Sequence, residues 1–146
     1  MKNPSKAVAY SFLAVLIALY IVGAVSHGSL RHEVQTLALW FPIVFGFQKR
    51  ELAKWSALPC LIFWLTLMVF IWLFLLGWVR IVSGTFSPIE IAMTIVIGIA
   101  SVLGIGVSLR WRTSTSISMA AGTFVSTAVL QLLVFRLSLI PYIATR

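Results

Sequence analysis

The sequence predicts an all-α integral membrane protein, with four transmembrane helices and a short re-entrant or interfacial segment. Three observations carry this. Of the 146 residues, 61% are hydrophobic and 10% charged, against about 45–50% and about 25% in soluble domains. The apolar residues gather in uncharged runs of about 20, the length needed to cross a hydrocarbon core of roughly 30 Å. The Lys and Arg residues stand at the ends of these runs, where topology signals and snorkelling anchors belong.

A chain of this length holds one polytopic membrane domain, residues 1–146, with little left for a soluble module. The net charge of +8 raises nucleic acid as a partner, but no soluble basic face exists to hold a duplex. The lipid bilayer is the implied partner instead. Asp is absent and the carboxylates number three, which weighs against catalysis by a carboxylate pair. Cys60 is the single cysteine and lies inside an apolar run, so no internal disulfide forms. No metal or other cofactor is expected, and the chain leans away from being an enzyme.

The first span covers about 7–26. Asn3 and Pro4 offer an N-cap and a first-turn proline, and Gly28 stands where a C-cap belongs. Ala24-Val25-Ser26 would suit signal cleavage, but the apolar run exceeds the usual 7–15 residues, so an uncleaved anchor is expected. The second span covers about 56–79 and is apolar all round, as a helix buried in lipid or protein is. Pro59 falls in its first turn, and Trp55 and Trp78 bracket it at headgroup level.

Ser87-Pro88-Ile89-Glu90 reads as Ser N-cap, Pro at N1 and Glu at N3, a capping box that assigns Glu90 a structural role. The third span follows over about 89–109. A tight turn at Thr113–Ser116 leads to the fourth span, about 117–135. Ala100, Gly104 and Ser108 recur every fourth residue on the third span, as do Ser118, Gly122 and Ser126 on the fourth. Such spacing lets backbones approach closely in lipid, so these two helices are expected to pair as an antiparallel hairpin. On the fourth span, Ser116, Thr123, Thr127 and Gln131 share an arc of roughly 80°. They either line a polar path or bond back to their own helix, with Gln131 reaching a neighbour.

Between the first two spans lies the part with chemical vocabulary. The uncharged run at about 34–48 is short for a span at roughly 22 Å, and Pro42 and Gly46 interrupt it, so an embedded segment that does not cross is expected. Its charge pattern favours a crossing, which would make five passes. In either topology Lys49–Lys54 and Arg110–Arg112 lie on the cytoplasmic face by the Lys/Arg excess. His27, Arg31, His32 and Glu33 are the best candidates for a site. Arg31 with Lys49 or Arg50 could grip an anionic headgroup; a metal or catalytic role would need His27, His32 and Glu33 to converge.

The expected function is a non-enzymatic accessory, assembly or interaction subunit of a bacterial cytoplasmic (inner) membrane, with a membrane-protein partner or a homo-oligomer. A small-solute transporter or channel using the Thr123/Thr127/Gln131 face is one alternative. A lipid-headgroup-binding or lipid-modifying protein using the His27–Glu33 cluster is the other.

Overall fold

The computed structural model describes residues 3–26, 28–80 and 84–144, with helices and connectors and no strand among them. Four helices are long and apolar enough to cross a membrane: α1 (Pro4–Val25), α4 (Leu52–Leu75), α5 (Pro88–Arg110) and α6 (Ile117–Ser138). Between α1 and α4 come α2 (Ser29–Thr36), a 3-10 turn (Leu37–Leu39) and α3 (Trp40–Phe47); α7 (Pro141–Ala144) follows α6. Trp64, Phe12, Leu39, Leu61 and Ile97 are fully buried between the helices. Large apolar side chains also cover the outer faces, with Leu103 61%, Leu109 67% and Ile117 88% exposed. A surface this apolar suits lipid rather than water.

Local sequence accounts for the boundaries. Pro4 opens α1, but Asn3 makes no side-chain cap, and α1 is capped at its end by Ser26. Gly28, expected to close α1, is instead the N-cap of α2. The Ser87–Glu90 capping box is present in full: Ser87 N–H donates to Glu90 Oε2 at 2.7 Å, and Glu90 N–H donates to Ser87 Oγ at 3.3 Å. α4 starts at Leu52, which puts Pro59 inside the helix rather than in its first turn. Pro42 cannot donate to the carbonyl four residues earlier, that of Ala38, and its ring crowds it. The tightening to a 3-10 turn over Leu37–Leu39 falls at that point.

Residues 29–47 extend the expected short embedded segment, about 34–48, at its start. The helix takes in Ser29–Glu33, which the uncharged run omitted, so the whole broken helix of about 19 residues is roughly 30 Å long. It runs antiparallel beside α1. His32 lies against Gly23 near the end of α1, while at Gly46 a Cβ would sit 2.7 Å from Ser5 O and 2.8 Å from Ala9 Cβ near its start. The segment is packed in the bundle along its length rather than resting at one edge.

α3 hands over to α4 through a Schellman turn. Arg50 N–H donates to Phe45 O and Lys49 N–H to Gly46 O, with Lys49 in the left-handed region at φ 57°. Gly77, at φ 77°, closes α4 through the same pair of bonds, Trp78 N–H to Leu73 O and Gly77 N–H to Phe74 O.

The expected α5–α6 hairpin does not form, because α4 stands between the two helices. α5 packs on α1 and α4, and α6 packs on α4 and α2. Residues 111–116 form a linker with neither helix nor turn, rather than a tight turn, and six residues of chain can reach up to roughly 20 Å, enough to pass a helix with its usual 8–10 Å spacing to neighbours. Glu51, at the start of α4, holds this linker. Its carboxylate accepts from Ser114 N–H at 2.7 Å, Ser114 Oγ at 3.0 Å and Thr115 Oγ1 at 3.0 Å. Lys54 Nζ donates to Trp111 O at 2.8 Å beside it.

These contacts sort the bundle into two ends. At the basic end lie the starts of α1, α4 and α6 and the ends of α3 and α5, with Lys6, Lys49, Arg50, Lys54, Arg110 and Arg112. At the other end lie the end of α1, all of α2's first turn, and Arg31, Arg80 and Arg136.

Candidate functional site

A cavity of about 290 Å³ opens at the less basic end, where five helices meet. α2 contributes Arg31, His32 and Gln35; α4 contributes Trp64, Met68 and Ile71. Leu19 comes from α1, Glu90 and Thr94 from α5, and Phe135 from α6, with Phe86 on the connector before α5. The volume is near the lower end of the usual range for ligand sites, about 300–1,000 Å³. Its lining joins apolar side chains to a substantial polar share, with Arg31, His32, Gln35, Glu90 and Thr94 in it; apolar walls with convergent polar groups make a small-molecule site.

Local structure explains why these side chains converge. Arg31, His32 and Gln35 stand on the face of α2 turned into the bundle, while Glu33 is exposed. Gly23 on α1 makes room for His32: a Cβ there would lie 3.1 Å from His32 Cβ and 3.4 Å from its Cδ2. Gln35 is buried and donates from Nε2 to Ser138 Oγ at 3.0 Å, which joins α2 to the end of α6. Ser138 in turn donates to Phe135 O at 2.6 Å. Thr94 accepts from Trp72 Nε1 at 3.0 Å, and Trp72 lies over Gly98, so α4 and α5 approach closely beside the cavity.

Three residues lining the cavity carry buried polar atoms with no hydrogen-bond partner among the described residues: Arg31 Nε, His32 Nδ1 and Trp64 Nε1. Trp64 is 1% exposed. Leaving a buried polar group unpaired costs about 1–3 kcal/mol, more for a charged one. Arg Nε and the indole nitrogen can only donate, so the group that would satisfy them is an acceptor. Arg31 brings a guanidinium to this lining, and Glu90 brings a carboxylate.

The sequence-predicted cluster is thus brought together only in part. Arg31 and His32 converge; His27 lies outside the described residues; Glu33 faces away. Lys49 and Arg50, expected near Arg31, are at the opposite end of α3, because residues 29–47 run the length of the bundle. Trp64 and Glu90 were not seen as partners of Arg31, since they come from other helices 33 and 59 positions away. The one local hint was Glu90's place among only three carboxylates.

The two other predicted sets fare differently. Ala100, Gly104 and Ser108 are buried, but against α1 and α4. At Gly104 a Cβ would meet Leu61 Cδ1 at 2.7 Å and Ser11 Cβ at 3.1 Å. Ser118, Gly122 and Ser126 are exposed, with nothing within 4 Å of a Cβ at Gly122. The cause is again the α4 helix lying between α5 and α6. Along the polar arc of α6, Ser116 is exposed, and Thr123 and Thr127 donate to Met119 O and Thr123 O, each at 2.8 Å. Their hydroxyls are satisfied by their own helix. Gln131 is 1% exposed, and neither its Oε1 nor its Nε2 has a partner among the described residues, so the expected bond to a neighbouring helix is not made.

Comparison with known protein families, curated proteins and solved structures returns no match.

Proposed function

We propose that the chain is a multi-pass protein of the bacterial cytoplasmic membrane that binds an amphiphile with an anionic headgroup, without transforming it. Residues 29–47 make a fifth pass in this reading. The Lys/Arg excess then puts the amino terminus, Lys49–Lys54 and Arg110–Arg112 in the cytoplasm and the cavity at the outer leaflet. The observation that carries the proposal is the convergence of Arg31, His32 and Trp64, each with an unpaired buried nitrogen, on one cavity with apolar walls. A phosphate or carboxylate oxygen supplies the missing acceptor, and the apolar walls accommodate the adjoining part of the tail. Intramembrane or membrane-edge charges without a stabilising partner are functional sites by default.

The test is calorimetric titration of the detergent-purified protein with short-chain phosphatidic acid. Saturable binding that weakens about tenfold or more on Arg31→Gln is the expected result, since a charge-assisted hydrogen bond is worth about 1.5–3 kcal/mol. Uptake that does not saturate, or that ignores the substitution, contradicts the proposal.

A second reading has its own support. The exposed Ser118, Gly122 and Ser126 face of α6 would let another helix approach closely, as an accessory or assembly subunit requires. The two readings are compatible, since the cavity and this face are on different parts of the bundle. The transporter reading gains less, because Thr123 and Thr127 spend their hydroxyls on their own helix.

A further inference from the structure

The cavity has a second charged group that anion binding does not use. Glu90 lines it from α5, and Arg31 lines it from α2. Its carboxylate spends Oε2 on the Ser87 N–H of the capping box. An ionised carboxylate has two oxygens and about four acceptor sites, so capping leaves capacity to spare. Glu90 is half-buried at the cavity wall. The lining of one small cavity therefore holds a guanidinium and an orphan indole N–H together with a carboxylate.

We infer that the ligand is zwitterionic: its phosphate or carboxylate lies toward Arg31 and Trp64, and an ammonium on the same headgroup lies toward Glu90. This rests on the anion-binding reading above. A headgroup with both charges fills the cavity without leaving it a net charge. A purely anionic headgroup would set its negative charge against Glu90 in a space walled by Leu19, Met68, Ile71 and Phe135, where charge–charge terms are stronger than in water. Glu90 thus has a selecting role beyond its capping one.

Glu90→Gln separates the two roles, because Gln at N3 also closes a capping box but carries no charge. Four probes are titrated into the wild type and the variant: short-chain phosphatidylethanolamine, phosphatidylglycerol and phosphatidylcholine, and free phosphoethanolamine. Wild-type protein should bind phosphatidylethanolamine about tenfold more tightly than phosphatidylglycerol, the difference one charged hydrogen bond makes. Phosphatidylcholine, whose nitrogen cannot donate, should fall between them or below. Glu90→Gln should abolish this preference by weakening phosphatidylethanolamine binding, with an unchanged melting temperature. Binding of free phosphoethanolamine as tight as that of the lipid would assign the site to a soluble zwitterion; much weaker binding assigns it to a lipid.

Equal binding of phosphatidylethanolamine and phosphatidylglycerol by the wild type overturns the inference. So does a preference that survives Glu90→Gln. In both cases Arg31-dependent binding of phosphatidic acid still leaves the anion site standing. If the wild type binds phosphatidic acid but none of the four probes, this inference alone falls; if it binds no phosphatidic acid either, both readings fall.

Discussion

Gln35 Nε2 donates to Ser138 Oγ at 3.0 Å across 103 residues of sequence, and this bond ties the cavity-lining helix α2 to the last turn of α6. Both residues are buried, at 3% and 0% exposure. Ser138→Ala removes the acceptor and leaves a buried amide donor unpaired, at a cost of about 1–3 kcal/mol. The melting temperature in mild detergent should fall accordingly. Ser138→Thr, which keeps the hydroxyl, should recover part of the loss. An unaltered melting temperature for Ser138→Ala would show that α6 does not hold α2.

Gly46 and Gly122 should separate sharply on substitution. A methyl group at Gly46 meets the Ser5 carbonyl and Ala9 Cβ at under 3 Å, and backbone cannot step aside as a flexible side chain can. Gly46→Ala should cost about 1–3 kcal/mol through overpacking. Gly122→Ala meets open space and gains helix propensity, so its effect should be neutral or slightly stabilising. Thermal melts of the two variants check this, and equal losses would mean that α6 packs on its Gly122 face within the folded chain.

Much of the architecture was legible because it is written locally. Four apolar runs and the Ser87–Glu90 capping box depend on residues near one another in sequence, and so did the choice of Arg31 and His32. The helix pairing was not legible. Small residues every fourth position state that a helix face can be approached closely, not by which partner, and the partner of Gly104 is fixed by Glu51 gripping Ser114 and Thr115 some 63 residues on. The helical segment before α4 proved longer than the uncharged run, because its polar first turn, Ser29–Glu33, lies outside that run. Trp64 was hidden among many aromatic residues on α4; only burial without a partner singles out its indole nitrogen.

The Glu51 latch should respond to acid. Its limited desolvation raises the carboxyl pKa, but hydrogen bonds from the Thr115 and Ser114 side chains and from their backbone outweigh this and hold the pKa below the ordinary glutamate value. A folded-state pKa below the unfolded one means that the stabilisation is present at neutral pH. It is lost as the pH falls through the ordinary value of about 4.3 and the depressed folded one. The difference in melting temperature between wild type and Glu51→Gln should therefore shrink from about pH 7 to about pH 3. A constant difference would mean that the charge plays no part in holding the linker.

The proposed five-pass topology makes a labelling prediction. Asn3 and Arg50 are exposed at one end of the bundle and Ser29 at the other, while Cys60 is buried and out of reach of reagent. In sealed inside-out vesicles, cysteines placed at Asn3 and Arg50 should both react with an impermeant thiol reagent, and one at Ser29 should not. Reaction at Arg50 and Ser29 together, without Asn3, would restore the four-pass topology.

The central claim is that an acceptor-bearing amphiphile occupies the space beside Arg31, His32 and Trp64. Native mass spectrometry of protein extracted from its membrane in mild detergent tests this most directly. One phosphate- or carboxylate-bearing amphiphile should remain on each wild-type chain and be lost from Arg31→Gln. Retention of the same adducts in the same amounts by both proteins would contradict it.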